Sequence, residues 1–261
     1  MREEESVCRE QGIHGERWRT IHDGYFADPV VAGPFVEAIA RVVDISHPAA
    51  IADLGGGTGF VLGEILRRAD LPGMRLVDLD VSPRQLSTGH DGRIEMVQGS
   101  ASQFERRQIV SGEGRLQLIA RSLLHYFGRQ GIREVLRHIR LQLRSGEFFV
   151  HQSACFLHSV DAECLNLIYE LIGTDKWYFT VGEMEEMLKD EGWKVCSVCP
   201  APALHLSSPD LSERYALAPD QVEMIRARAN GEYGQRPEVF TTSGRGFDAW
   251  LHYYIFVCRA L

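Results

Sequence analysis

Short apolar runs alternate with amphipathic segments through the middle of the chain. The first run, at residues 51–54, ends at a cluster of glycines, and the helical pattern of residues 60–66 follows directly. Further apolar runs follow along the chain, at residues 74–81, 94–98, 118–124 and 146–152. Short runs of this kind are typical of strands buried on both faces, with helices between them. The pattern therefore predicts βαβ units and a mostly parallel sheet.

The region before the first strand has a different character. Residues 1–50 have a helical pattern, clearest at residues 34–43, and we expect them to form a lid over the ligand site. A second interpretation is that the aromatic side chains of this region only pack against the core. These aromatic candidates are Trp18, His22, Tyr25 and Phe26.

Helical patterns also dominate beyond residue 155. Residues 161–172 form one predicted helix, and residues 180–188 form another, with Thr180 and Glu183 as its capping box. Residues 200–247 are interrupted by prolines, which break long elements, so we expect an insertion before a last strand at residues 253–257.

These patterns divide the chain into three predicted parts. Residues 1–50 are the lid, residues 51–199 and 248–261 are an α/β core, and residues 200–247 are a cap insertion. Insertions on a rigid α/β sheet commonly select the substrate.

The glycines after the first predicted strand are the best candidate for a ligand site. Gly55, Gly57 and Gly59 are spaced as GxGxG, whereas the dinucleotide fingerprint GxGxxG needs a glycine where Phe60 stands. Glycines before a helix let the backbone approach a ligand, and the free N–H groups of the helix point at it. Asp53 precedes the turn, where a carboxylate repels a pyrophosphate but suits a cationic group. This combination favours S-adenosylmethionine over a nicotinamide dinucleotide.

An acidic residue ends the second predicted strand. Asp80 lies 21 residues after Gly59, close to the spacing at which a carboxylate accepts hydrogen bonds from a ribose diol. Asp78 competes for this role, because alternation along a strand places both side chains on one face. We prefer Asp80, since Ser82 and Pro83 begin the next turn directly after it.

Together these motifs resemble the class I S-adenosylmethionine-dependent methyltransferases. The resemblance is clearest at residues 53–59 and 80–86, and weaker at residues 94–101, 118–126 and 146–152. It implies a Rossmann-like, mostly parallel seven-stranded sheet flanked by helices, with S-adenosylmethionine at its carboxyl edge. Many members of the family carry an acid where Ser100 stands, so this adenine contact differs here. The residues implied to contact the cofactor are Tyr25, Asp53, Gly55, Gly56, Gly57, Asp80, Val81, Ser100, Ala101 and Arg121.

The implied reaction is methyl transfer to a small-molecule acceptor by in-line displacement. His125, which follows the fourth predicted strand, is the candidate general base, and a supporting or surface role is its alternative. Tyr126, Trp177 and Tyr178 are predicted to bind the acceptor. Two alternatives remain open. The same cofactor can undergo cyclisation or elimination that releases methylthioadenosine, or the fold can serve as a binding protein without turnover.

The composition of the chain limits the classes of partner that we expect it to bind. The chain of 261 residues has a formal net charge of −8, which disfavours a large nucleic-acid footprint. No apolar run reaches membrane-span length and residues 1–5 lack an apolar signal core, so we expect a cytoplasmic protein. Cys196 and Cys199 form a CxxC pair, but residues three apart in a strand point to opposite faces, so we expect no metal. The expected partner is a small-molecule substrate, and a homodimer is one oligomeric state left open.

Overall fold

The computed structural model describes residues 21–69, 71–87 and 91–261, and a large β-sheet lies at its centre. The strands β1 to β9 are Ala50–Leu54, Arg75–Asp80, Ile94–Gln98, Leu116–Arg121, Phe148–Phe156, Phe179–Thr180, Trp193–Ser207, Phe240–Ser243 and Gly246–Ala260. The helices α1 to α9 are Pro29–Ser46, Phe60–Arg68, Pro83–Leu86, Arg106–Ile109, Gly128–Leu141, Ser159–Ile172, Val181–Asp190, Ser208–Tyr215 and Pro219–Tyr233. Two 3-10 helices are Ile21–Ala27 and Leu124–Phe127.

The sheet has the predicted α/β architecture. Its main path runs β3-β2-β1-β4-β5-β9-β7, in which the strands from β3 to β5 are parallel and β9 is antiparallel to both neighbours. The predicted seven-stranded, mostly parallel sheet is therefore confirmed for this path. Two short strands extend it, since β6 pairs with β5 and β8 pairs with β9.

The apolar strand runs arise because helices cover both faces of the sheet. Every residue of β1 is buried, as expected for a central parallel strand. On one face, Ile51 and Ile119 pack with apolar residues of α1 and α2. On the other face, Ala52 and Leu118 pack with apolar residues of α4, α5 and α7.

At residues 29–46 the structure differs from the lid expected over residues 1–50. Within this range α1 is a core helix, because its apolar stripe, which includes Phe35 and Ile39, is fully buried against the sheet. Asp28 caps this helix by accepting a hydrogen bond from the Val30 N–H. The part that lies over the carboxyl edge is the first 3-10 helix. Trp18 and the side chain of His22 lie outside the described residues.

The boundary of the predicted cap at residue 200 also differs. Residues 200–207 are the second half of β7, and their partners in β9 run from Tyr254 to Asp248. Pro200 and Pro202 are tolerated there because β7 ends the main path of the sheet, and Pro202 also lies in the irregular pairing between Ala201 and Leu204. The helical insertion begins at Ser208 and contains α8 and α9.

The predicted capping box begins one helix, and a glycine that was not predicted as a stop ends another. The capping box of Thr180 and Glu183 starts α7, and Gly173 ends α6 in the left-handed conformation. Among the residues that the structure describes, no helix combines the length and apolar character needed to cross a membrane.

Candidate cofactor and acceptor site

The glycine turn after β1 depends on the absence of side chains. Gly55 and Gly57 have φ values of +67° and +66°, which L residues with a side chain rarely adopt. The Gly55 N–H donates a hydrogen bond of 2.7 Å to the Leu79 carbonyl oxygen, so the turn is fixed to the end of β2. A Cβ at Gly55 would lie 2.8 Å from Leu123 Cδ1, and a Cβ at Gly57 would collide with the Gln85 carboxamide.

Asp80 connects this turn to the end of β2. Its Oδ2 accepts a hydrogen bond of 3.1 Å from the Gly57 N–H, and its Oδ1 accepts one of 2.8 Å from the Ser82 N–H. The carboxyl group is therefore held at the mouth of the turn. Burial raises the pKa of Asp80, and these backbone donors lower it in opposition.

Asp53 and Asp78 form a second acidic feature beneath the turn. They are direct partners in the register of β1 and β2, and both carboxyl groups face Gly56. A Cβ at Gly56 would lie 2.6 Å from Asp78 Oδ1 and 2.9 Å from Asp53 Oδ2, so only glycine fits above the pair. The two residues are 1% and 0% exposed, and among the described residues the Gly59 N–H interacts with Asp78 while the Asp53 oxygens accept no hydrogen bond.

This environment disfavours ionisation of the pair. Burial raises the pKa of Asp53, with a further contribution from Asp80, whereas the Arg121 guanidinium acts in the opposite direction. Burial likewise raises the pKa of Asp78, and Asp53 and Asp80 add to this shift. Two adjacent buried carboxyl groups therefore lie at the site where the sequence predicted a cationic ligand.

Arg121 and Tyr25 join the first 3-10 helix to the sheet edge. The guanidinium donates to the carbonyl oxygens of Phe26 and Tyr25, at 3.0 and 3.4 Å, and lies over both rings at 5.7 and 5.6 Å. The Tyr25 hydroxyl donates a 2.5 Å hydrogen bond to the Pro202 carbonyl oxygen of β7. Tyr25 is thus brought to the edge that holds Arg121, and its contact with the cofactor stays a prediction.

The remaining predicted cofactor residues follow β2 and β3. Val81 comes directly after Asp80, and its carbonyl oxygen accepts a hydrogen bond from the Gln98 carboxamide. Ser100 and Ala101 form the turn after β3, where the Ser100 hydroxyl lies 2.8 Å from the Ser102 hydroxyl and Ala101 is buried. The Gly99 N–H donates to the Asp80 carbonyl oxygen, so this turn adjoins the acidic end of β2.

The predicted acceptor residues form one aromatic cluster after β4. His125 stacks against Tyr126 and Tyr178, with ring centroids 4.3 and 5.4 Å away. The Trp177 N–H donates to the His125 carbonyl oxygen, which fastens the aromatic segment to the β4 loop. Tyr178 is 1% exposed and packs between Tyr169 and His125, so its ring belongs to the core. A direct acceptor contact for these side chains stays a prediction.

Several residues at this edge were not predicted from the sequence. Ser122 has a φ of 58°, and its hydroxyl lies 2.7 Å from the Tyr253 hydroxyl of the last strand. Gln152 is 1% exposed beside Arg121 in the β4–β5 register. Lys176 is buried, donates to the Tyr215 hydroxyl at 2.7 Å and lies over the Tyr126 ring. Alternation in β5 could have indicated Gln152, whereas the other contacts join distant parts of the chain.

No protein-family model and no curated protein sequence matches this chain. Several solved structures are similar to it. A protein of Bacillus halodurans proposed to be a methyltransferase aligns with a TM-score of 0.63 at 13% identity, over 85% of this chain and 98% of that one. The chain has the class I methyltransferase fold. The predicted resemblance is thereby confirmed at the level of the fold.

Two further structures show how this fold is used elsewhere. The 1,6-didemethyltoxoflavin-N1-methyltransferase of Burkholderia thailandensis, with its substrate and S-adenosylhomocysteine bound, has a TM-score of 0.55 at 16% identity, covering 99% of this chain and 89% of that one. The cyclase SpnF has a TM-score of 0.51 at 14% identity, covering 88% of this chain and 80% of that one.

Proposed function

We propose that this protein transfers a methyl group from S-adenosylmethionine to a small-molecule acceptor. The observation that carries the proposal is the polar row on one face of the sheet at its carboxyl edge. In this row the Asp53 carboxyl group has no hydrogen-bond partner among the described residues, and the Asp78 carboxyl group, the Arg121 Nε and the Gln152 carboxamide are buried and incompletely hydrogen-bonded. Buried polar groups are normally satisfied, so such a row indicates a polar ligand.

The row fits the chemistry of S-adenosylmethionine. Asp53 and Asp78 offer acceptors to an ammonium group, while the guanidinium of Arg121 suits a carboxylate. Asp80, held by the glycine turn, offers its carboxylate to a ribose diol. Val81, Ser100 and Ala101 would line the adenine side, and Gly55, Gly56 and Gly57 leave room for close approach. The cofactor, when bound, supplies a methyl group already activated by a sulfonium.

The protein's own part is to orient the acceptor and exclude water. The 3-10 helix around Tyr25 covers the edge, because Arg121 fixes its backbone to β4. We assign the acceptor side to Tyr126, Trp177 and Tyr178. We assign general-base chemistry to His125, which would take a proton from an acceptor that carries one. The planar side chains nearby suit an aromatic or other planar acceptor.

Calorimetric titration with S-adenosylmethionine tests the first step. Wild-type protein should bind it, and Asp80→Ala should weaken binding at least tenfold, whereas Asp91→Ala, on an exposed turn where it pairs with Arg93, should not. Absence of binding to the wild type, or unchanged affinity in Asp80→Ala, would contradict the proposal.

The products distinguish methyl transfer from its alternative. Mass spectrometry should find S-adenosylhomocysteine and a methylated acceptor after turnover. Methylthioadenosine instead would indicate cyclisation or elimination on the same fold, and the cyclase SpnF is similar to this chain only in fold.

We also propose a cytoplasmic location. Within the described residues the five cysteines Cys155, Cys164, Cys196, Cys199 and Cys258 are all free, which suits a reducing compartment. A small-molecule substrate is the proposed partner, consistent with the acidic net charge.

A further inference from the structure

The carboxyl groups of Asp53 and Asp78 form a close and buried pair beneath Gly56. The two residues are register partners on adjacent parallel strands, and their side chains leave the same face of the sheet. Both groups lie within 3 Å of one point, the position of a Cβ on Gly56, so they are within a few ångströms of each other. With 1% and 0% exposure, neither is solvated.

Among the residues that the structure describes, the groups around the pair do not neutralise it. Asp80 adds a like charge from the end of β2, and Arg121 of β4 is the cation that acts on Asp53. That guanidinium is itself engaged with the carbonyl oxygens of Tyr25 and Phe26. On α2 the buried Glu64 is paired with Arg67. Two adjacent carboxylates in such a place do not both ionise, so one proton must remain with them.

Resting on the function proposed above, we propose that Asp53 and Asp78 hold one proton between them in the ligand-free protein, and that the cationic amino group of S-adenosylmethionine displaces it to solvent. The exchange balances, since one positive charge leaves as the proton and one enters as the ammonium. Apart from the Gly59 N–H beside Asp78, the described residues give these carboxyl oxygens no hydrogen-bond donor, and an ammonium supplies donors that a sulfonium lacks. The raised pKa values of both groups support the same picture. Asp78 is thus a further residue of the cofactor site.

Proton release on binding is the decisive measurement. Calorimetric titrations in buffers of low and high ionisation enthalpy, near neutral pH, should report about one proton released per S-adenosylmethionine bound. S-adenosylhomocysteine keeps the amino group and should release the same number. Methylthioadenosine lacks the α-amino group of the methionine part and should bind without releasing a proton. Release with methylthioadenosine, or release with S-adenosylmethionine alone, would overturn the assignment.

A variant separates the pair from its neighbours. Asp78→Asn should still bind S-adenosylmethionine but release no proton, because the carboxamide can donate to Asp53 and leave it ionised beforehand. Asp80→Asn should bind more weakly yet keep the release, since it leaves the pair intact. Undiminished release in Asp78→Asn overturns the proposal. If the wild type binds S-adenosylmethionine without releasing a proton, the shared proton is refuted but the proposed function is not. If the wild type does not bind it, the proposed function is refuted.

Discussion

The two halves of the carboxyl edge are built in opposite ways. The cofactor half, formed by β1 to β3 and their turns, carries the buried carboxyl groups of Asp53 and Asp78, which have almost no hydrogen-bond donors among the described residues. The acceptor half, formed by the β4 loop, residues 174–178 and the strands β7 to β9, is aromatic and internally bonded. Its links include Ser122 to Tyr253 and Asn166 to the backbone of Tyr178.

The difference indicates which interactions determine the structure of each half. Glycines and capped turns shape the cofactor half locally, but its acidic pair is costly until a cation arrives. The acceptor half is stabilised by packing between distant segments and by hydrogen bonds between them, such as that of Lys176 with the Tyr215 hydroxyl. We therefore expect substitutions in the first half to affect ligand binding, and those in the second to affect stability.

The largest expected effect is on stability, at Tyr178. Its ring is 1% exposed and contacts Tyr169, His125 and Phe156, so Tyr178→Ala should leave a cavity and cost about 3–5 kcal/mol of unfolding free energy. Urea unfolding measures this loss. Tyr178→Phe is the matched control, because it keeps the ring and should lose far less.

The same variant tests the division between the halves. The folded fraction of Tyr178→Ala should bind S-adenosylmethionine within about threefold of wild type, a difference of roughly 0.7 kcal/mol. A large loss of cofactor affinity with little loss of stability would place Tyr178 in the cofactor half instead.

The next effect should be on cofactor affinity, at Gly57. Gly57→Ala places a methyl group against Gln85 and strains a left-handed residue, which displaces the N–H that holds Asp80. We expect affinity for S-adenosylmethionine to fall about 100-fold, or roughly 2.7 kcal/mol. Gly73→Ala is the control, because its φ is +74° but nothing lies within 4 Å of its Cβ position. Both variants should lose similar stability from backbone strain, and an equal loss of affinity in both would disprove the specific role of Gly57.

The same contrast explains what the sequence could predict. The glycine turn, Asp80 and the capping box of α7 follow from residues within a few positions of one another, and the structure has them. Asp78 was recognisable as a competitor, but only the register of β1 with β2 reveals that it pairs with Asp53. The contacts of Tyr25 with Pro202 and of Lys176 with Tyr215 join segments far apart in the chain, which periodicity does not report. The prolines of residues 200–207 suggested a break, yet an irregular pairing lets β7 continue through them.

A smaller effect, of opposite sign, is expected at Asp78. Its pKa is raised in the folded protein, so the folded state favours its protonated form, and ionisation at higher pH costs stability. The stability that the protonated form of Asp78 contributes is fully present below the unfolded pKa of about 3.9. It is lost as the pH rises through the raised pKa of the folded protein. Asp78→Asn should therefore stabilise the ligand-free protein by roughly 1–3 kcal/mol at neutral pH, with the difference vanishing near pH ~4.

Denaturant titrations at both pH values measure this difference. Glu95→Gln on the neighbouring strand is the control of opposite sign, because Arg75 lowers the pKa of Glu95 and the variant loses that ion pair at neutral pH. If Asp78→Asn is less stable than wild type at neutral pH, the carboxyl group of Asp78 is satisfied in solution and the contrast between the halves fails there.

The smallest expected effect is at Tyr25, which lies between the halves. Tyr25→Phe removes the hydroxyl that donates to the Pro202 carbonyl oxygen, while the ring stays beneath Arg121. Burial raises the pKa of Tyr25, so the hydroxyl remains a donor at neutral pH. Loss of one such hydrogen bond costs about 1 kcal/mol, which should speed hydrogen exchange in the 3-10 helix and cofactor release about fivefold. Tyr254→Phe is the control, because Tyr254 lies on the opposite face of β9 from Tyr253, which contacts Tyr25. It should change neither rate. Faster exchange without faster release would mean that this helix packs on the acceptor half but does not close the cofactor half.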